Sequence, residues 1–156
     1  MESMVLNGLL WVMALSSGLM AGVYFAFSAF IMQSLASLPG NAGAAAMNAI
    51  NRVILKSLFM LLFWGSTIVS ALLLGFGLWR LAVSDLAPAL VGATYFGGMF
   101  LATATRNVPL NNALAAGEER PEVWQDYLRR WTYWNSFRTV ASLVTCALSI
   151  LLLTFP

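Results

Sequence analysis

The sequence predicts an all-α integral membrane fold, four helices in an up-down-up-down bundle that projects beyond the bilayer on one side. Three observations predict it. The 156-residue chain is 60% hydrophobic and only 9% charged, where a soluble domain carries about 25% charged residues. The charges fall outside apolar runs of about 20 residues, the length that crosses a hydrocarbon core. The link between the second and third runs is short, from Arg80 to Asp85, and short links make neighbouring helices antiparallel.

The first run, Val5 to Leu38, carries no charge and ends at the turn signal Pro39-Gly40; its spanning part is about 5–33. The second pattern reads as one helix from Ala42 to Trp79 with Arg52 and Lys56 in its first half, and its lipid-compatible part is 57–79. The third runs from Leu86 to Thr105, is stopped by Arg106 and then Pro109, and spans 86–105. The fourth starts at Pro121, a residue suited to a first helical turn, and its span is 135–155. A helix of about 34 residues reaches about 50 Å against a hydrocarbon core of about 30 Å, so helices one, two and four project. No linker or repeat divides the chain, and 1–156 reads as a single domain.

Orientation follows from the cationic residues. Connections one and three carry Arg52, Lys56, Arg106, Arg120, Arg129 and Arg130, against Arg80 alone on the other side. The positive-inside rule then puts both termini outside the cytoplasm. No Lys or Arg precedes the first run and no small-residue cleavage site follows it, so it reads as a retained span.

Missing residues narrow the chemistry. There is no histidine, which removes His-ligated metals, haem and a catalytic imidazole. The single cysteine, Cys146, has no disulfide partner and reads as a small apolar residue of the fourth span. Glu118, Glu119, Glu122 and Asp126 cluster at the third connection and no span carries an interior carboxylate, which disfavours a proton-coupled pump. Asp126 is spaced to pair with Arg129 and Arg130. A net charge of +2 is too small to suggest nucleic-acid binding.

The polar residues that remain gather near one membrane face. On the fourth helix Trp124, Tyr127, Trp131, Trp134 and Arg138 repeat at three- and four-residue spacing, with Asn135 between. Trp124 and Tyr127 also suit a membrane-interface belt. An arginine beside Asn135 and Trp131, rather than among lipid-facing aliphatics, marks a site; the competing reading is a snorkelling side chain. Arg106, Asn107, Asn111 and Asn112 crowd around Pro109; these amides either cap helix ends or line a pocket with Arg138. Asn48, Asn51 and Arg52 on helix two, and Tyr24, Ser28 and Met32 on helix one, reach the same level, with Phe25, Phe27 and Phe30 around them. Gly18 and Gly22 form one GxxxG, which permits close helix approach. Together these segments predict a pocket walled by Phe, Trp and Met and holding two or three arginines. Such a pocket suits a flat aromatic or lipid-like molecule that becomes anionic.

Phe27-Ser28-Ala29-Phe30-Ile31-Met32, Asn107-Val108-Pro109-Leu110-Asn111 and the run from Trp131 to Thr139 together resemble the anthrone oxygenase-like family of small membrane proteins, also catalogued as domain of unknown function 1772. The resemblance covers nearly the whole chain. It implies oxidation of an anthrone to an anthraquinone by molecular oxygen without a bound cofactor, in a bacterial inner membrane, with homo-oligomers possible. It implies catalytic roles for Arg138, Asn135, Asn111 and Asn107. Trp131, Trp134, Tyr24, Ser28, Asn51, Arg52 and Arg106 would bind substrate. Many members carry His beside the matching Asn, where this chain has Ser136; if that His is the general base, Tyr24, Ser136 or a water takes its role here. The competing classes are a binding or transport protein using the same pocket, a structural membrane subunit, and an enzyme with a loosely held metal or quinone.

Overall fold

The computed structural model describes residues 2–80 and 86–155, and among them every regular element is helical. Helix α1 is Ser3–Ala36, α2 Ala42–Ile54, α3 Leu58–Trp79, α4 Ala87–Ala116 and α5 Pro121–Thr154. All but α2 are long and apolar enough to cross a membrane, and the chain is an integral membrane protein. Residues 81–85, where most of the short link between the second and third spans was expected, lie outside the described residues.

Two boundaries differ from the sequence expectation. The single helix expected from Ala42 to Trp79 is two helices broken at Leu55–Ser57. Ser57 is extended (φ −96°, ψ 166°) and its hydroxyl accepts the Phe59 N–H at 3.2 Å, satisfying a donor that a new helix start leaves orphaned. The break leaves Arg52 and Lys56 exposed and turns α2 into a separate cap. The third helix does not stop at Arg106 and Pro109 but continues to Ala116. Widened π turns at Phe96–Leu101 and Thr103–Asn107 precede the proline, and the Val108 N–H bonds back five residues to the Thr103 carbonyl. A proline ring clashes with the carbonyl four residues earlier in a regular helix, and the altered register ahead of it accommodates the ring. A third π turn, Phe27–Ile31, interrupts α1, with the Met32 N–H bonded to the Phe27 carbonyl.

Helices α1 and α5 form the central pair. Small buried residues line the bundle, among them Ser16 and Ser17 on α1, Ser66, Thr67 and Ser70 on α3, and Ser142, Thr145 and Ser149 on α5. Most of their hydroxyls donate one turn back to a carbonyl, as Ser66 does to Leu62 at 2.7 Å and Thr145 to Ala141 at 2.8 Å. Self-satisfied hydroxyls keep side chains small without leaving a polar group bare in an apolar medium. Of the GxxxG pair only Gly18 meets another helix, where an added Cβ would lie 3.3 Å from Cys146 Sγ; Gly22 faces open space. Helices α3 and α4 touch backbone to backbone at one end, where an added Cβ on Gly77 would meet Ala89 and one on Gly92 would meet Ser70 and Leu74.

The core falls into two clusters. One, around Met13, Met20, Leu73, Val91, Tyr95 and Met99, fills the apolar end. The other, around Met32, Met47, Leu110, Leu114, Trp124, Tyr127 and Trp131, fills the polar end under α2.

Candidate functional site

Between the two clusters lies a cavity of about 400 Å³ to which all five helices contribute. That size falls in the range of about 300–1,000 Å³ usual for small-molecule sites. Its walls are apolar: Phe27 from α1, Met47 and Ile50 from α2, Phe59, Met60, Phe63 and Trp64 from α3, and Phe100 from α4. Its polar atoms are few, supplied by Tyr24, Asn51, Thr103, Asn107, Asn111, Trp131 and Arg138.

Arg138 dominates the electrostatics. It is 5% exposed, and among the described residues no carboxylate lies within ion-pair distance of it. Its Nη2 donates to Asn135 Oδ1 at 2.8 Å and its Nη1 to Thr103 Oγ1 at 3.2 Å. The guanidinium carbon sits 4.3 Å from the Tyr24 ring centre and 5.5 Å from that of Trp131. Two neutral acceptors and two ring faces hold the cation in place, but they leave its charge uncompensated and its Nε without a partner.

Asn135 positions that arginine from behind the cavity wall. It is fully buried, and its Nδ2 donates to the Tyr24 carbonyl at 2.6 Å and to Ser28 Oγ at 2.7 Å. Ser136 donates to the Thr132 carbonyl at 3.0 Å, and its Oγ lies 2.9 Å from Ser28 Oγ, whose hydroxyl can donate to it. The polar knot of Asn135, Ser28 and Ser136 thus ties α5 to α1 at the π turn, a type of irregularity that recurs at functional sites.

The second polar station is amide-rich. Tyr127 donates to Asn111 Oδ1 at 2.8 Å, and its hydroxyl also faces Asn51. Asn107 is 1% exposed and donates to the Trp131 carbonyl at 3.3 Å. Asn107 Oδ1, Trp131 Nε1, Arg138 Nε and Asn51 Nδ2 are buried without a well-formed hydrogen bond. All four residues line the cavity. Buried polar groups are ordinarily satisfied, so a molecule held in this cavity could satisfy them with acceptors toward Arg138 and Trp131 and a donor toward Asn107.

The residues expected at the site divide accordingly. Arg138, Asn107, Asn111, Trp131, Tyr24 and Asn51 line the cavity. Asn135 and Ser28 stand behind it. Trp134, Arg106 and Arg52 lie elsewhere: Trp134 is half-buried against the polar-end cluster, off the cavity lining and under Arg106, whose guanidinium carbon is 4.9 Å from its ring, and both arginines are exposed. The cavity therefore holds one arginine rather than two or three, because the other two lie at the water-facing boundary where their charge stays hydrated. Phe25 and Phe30 also point outward, at 61% and 56% exposure. Asn107 caps nothing, since the helix runs on through it. Thr103 was missed, although Met99, Thr103, Asn107 and Asn111 repeat at four-residue spacing and so mark one face of α4. At the third connection Asp126 pairs with Arg129 at 2.9 Å and Arg130 at 3.0 Å on an exposed face.

No curated protein and no solved structure matches the chain. One family model does: that of anthrone oxygenase matches residues 54–148, more than half of the chain. The matched stretch contains Thr103, Asn107, Asn111, Trp131, Asn135 and Arg138, whereas Tyr24, Ser28 and Asn51 precede it.

Proposed function

The chain belongs to the anthrone oxygenase family, and from that premise we propose that it is a cofactor-independent oxygenase-like enzyme acting on a polycyclic aromatic ketone of the anthrone type. The observation that carries the reading is Arg138, a buried cation with no carboxylate partner among the described residues, at the wall of an aromatic cavity of about 400 Å³. Arginine stays charged at any working pH, and a fixed positive charge in a water-poor site favours an oxyanion most where charge develops.

The chemistry needs little beyond this. An anthrone has an acidic methylene group. Loss of one of its protons gives an enolate whose oxygen would lie against Arg138. The carbanion carbon transfers an electron to dioxygen, and the radical pair collapses to a carbon–oxygen bond; protonation gives a hydroperoxide. Loss of the remaining hydrogen on that carbon, with cleavage of the O–O bond, releases water and leaves the second carbonyl. One oxygen atom ends in the quinone and one in water, so the four-electron oxidation of the methylene balances the reduction of O₂. In this scheme Asn107 and Asn111 orient the substrate oxygens, Trp131 stacks on the rings, and Asn135 holds Arg138. Tyr24 lines the cavity and, with a water admitted beside the substrate, would serve as base; Ser136 lies in the polar knot behind the cavity wall and is out of reach. Holding the enolate and dioxygen together replaces a bimolecular encounter by a positioned one.

We infer the setting from the same features: a bacterial inner membrane, both termini outside the cytoplasm, and a hydrophobic aromatic molecule and dioxygen as partners. The cationic side supports that orientation, since Arg52, Arg106, Arg129 and Arg130 are exposed at the end that carries α2.

The test is oxygen uptake and quinone absorbance with anthrone and detergent-purified protein, comparing the parent with Arg138→Gln. Turnover above the spontaneous rate in the parent, and none in a folded variant, is the expected result. Saturable binding without turnover would favour a binding or transport protein using the same cavity. Neither turnover nor binding would remove the reading.

A further inference from the structure

The cavity is covered on one side and only screened on another. Toward the polar end it is roofed by α2, which contributes Met47, Ile50, Asn51 and Ile54 to its lining. The roof is latched by Asn48, 2% exposed, whose Nδ2 donates to Glu118 at 2.6 Å. Gly43 seats it against α1 so closely that an added Cβ would meet the Leu35 carbonyl and Trp124.

Between α3 and α4 the arrangement is different. These helices are in backbone contact at Gly77–Ala89 and Gly92–Ser70, and α3 has its extensive contact with α4 only over Ala87–Tyr95. Beyond that they diverge, and the cavity occupies the wedge. Met60 and Trp64 on one helix face Phe100, Ala104 and Val108 on the other. Trp64 is 51% exposed, and Ala104 and Val108 are exposed as well, so one side of these lining residues reaches the bundle surface. Rings meet across the wedge: Phe100 lies 6.0 Å from Trp64 and 5.9 Å from Phe63, centre to centre.

The depth of these rings decides what they face. Trp64 is seven residues into the apolar run from Ser57, and Phe100 six from Arg106. At about 1.5 Å per residue each sits about 10 Å inside the hydrocarbon boundary. Tryptophan in membrane proteins gathers at the headgroup level instead. A tryptophan this deep, half in lipid and half on a cavity wall, is placed to screen an opening.

We propose that the cavity is loaded sideways from the bilayer core, between α3 and α4, by a lipophilic monoanion or its neutral conjugate acid, with the Trp64–Phe100 ring pair as the gate. The nature of the molecule rests on the function proposed above; the route does not. A flat apolar compound dissolves in the bilayer and reaches the wedge without crossing water. Two rings in contact need only turn about their side-chain bonds to part, whereas lifting α2 breaks a buried hydrogen bond and a close helix seat.

The experiment uses the full chain in lipid nanodiscs as Trp64→Cys/Phe100→Cys in a Cys146→Ser background, bridged by a short bis-methanethiosulfonate. The probe is alizarin, an acidic hydroxyanthraquinone, followed by stopped-flow quenching of tryptophan fluorescence. Measured against the same double variant before bridging, association and dissociation should each be slowed at least tenfold, and both rates should be restored by dithiothreitol. Unchanged rates, or a weaker Kd with unchanged association, would overturn the route. Alizarin failing to bind the unbridged protein would count against the anion reading alone. In that case, and if the double variant does not fold, phospholipids brominated at mid-chain decide the route without a ligand. The quenching of Trp64, taken as the difference between the parent and Trp64→Phe, should be strong, and its absence would overturn the proposal.

Discussion

Replacing Arg138 with methionine should cost the unliganded protein about 1–3 kcal/mol and remove its affinity for anions. Desolvating a guanidinium carries a penalty of several kcal/mol. Against this stand two hydrogen bonds, to Asn135 at 2.8 Å and Thr103 at 3.2 Å. At about 1.5–3 kcal/mol for a bond to a charged group they supply about 3–6 kcal/mol. Two desolvated ring contacts, at 4.3 Å and 5.5 Å, add up to about 2 kcal/mol each. Penalty and gains are of similar size, so the main loss with an apolar side chain of similar reach is the buried Asn135 Oδ1 left without its donor, about 1–3 kcal/mol. The effect on ligand is not balanced in this way. Removing one partner of a buried charge pair weakens binding by about 2–5 kcal/mol, which is about 30-fold to 4,000-fold in Kd. Thermal unfolding by circular dichroism in detergent gives the first quantity and titration with alizarin the second. Parent-like alizarin affinity in Arg138→Met would refute the assignment of Arg138 to an anion site. Loss of folding in that variant would show the arginine to be structural.

Three further outcomes follow from the geometry. Asn135→Ala removes the donor to the Tyr24 carbonyl and Ser28 and the acceptor for Arg138; at about 1–3 kcal/mol for each buried group left unsatisfied, denaturant unfolding should show a loss of about 3 kcal/mol or more. Gly77→Ala should lower the unfolding temperature because its Cβ would meet the Ala89 Cβ at 2.6 Å and Cα at 2.8 Å, an overpacking worth about 1–3 kcal/mol; Gly75→Ala, where nothing lies within 4 Å, should be neutral or raise it slightly. Glu118→Ala should free α2, read as faster proteolysis across Leu55–Ser57, while Glu118→Gln, which keeps an acceptor for Asn48, should restore protection.

Several features were legible in the chain itself. Runs of apolar residues without carboxylates defined the membrane helices, since a charge in hydrocarbon is expensive wherever the helix points. Periodicity put Trp131, Asn135 and Arg138 on one face of α5, because residues three and four apart share a face whatever the helix packs against. The tertiary structure decided the rest. Trp134 belongs to the same broad stripe as Trp131, yet it packs half-buried beside the polar-end cluster and stays off the cavity lining. In a membrane the lipid is as apolar as the core, so the contrast of polar outside and apolar inside that reveals a buried face in water is missing. The same lack of contrast hides the wedge: nothing in the sequence sets Trp64 and Phe100 apart from the other aromatics of their spans, and it is the close approach of Gly77 to Ala89 at one end of α3 and α4, with divergence at the other, that brings them to the cavity wall. The break at Ser57, which turns half of an expected helix into the roof of the cavity, also came from packing. A serine favours a cap over a helix interior but by too little to dictate a break, and the seat of Gly43 on Leu35 and the bond from Asn48 to Glu118 favour it.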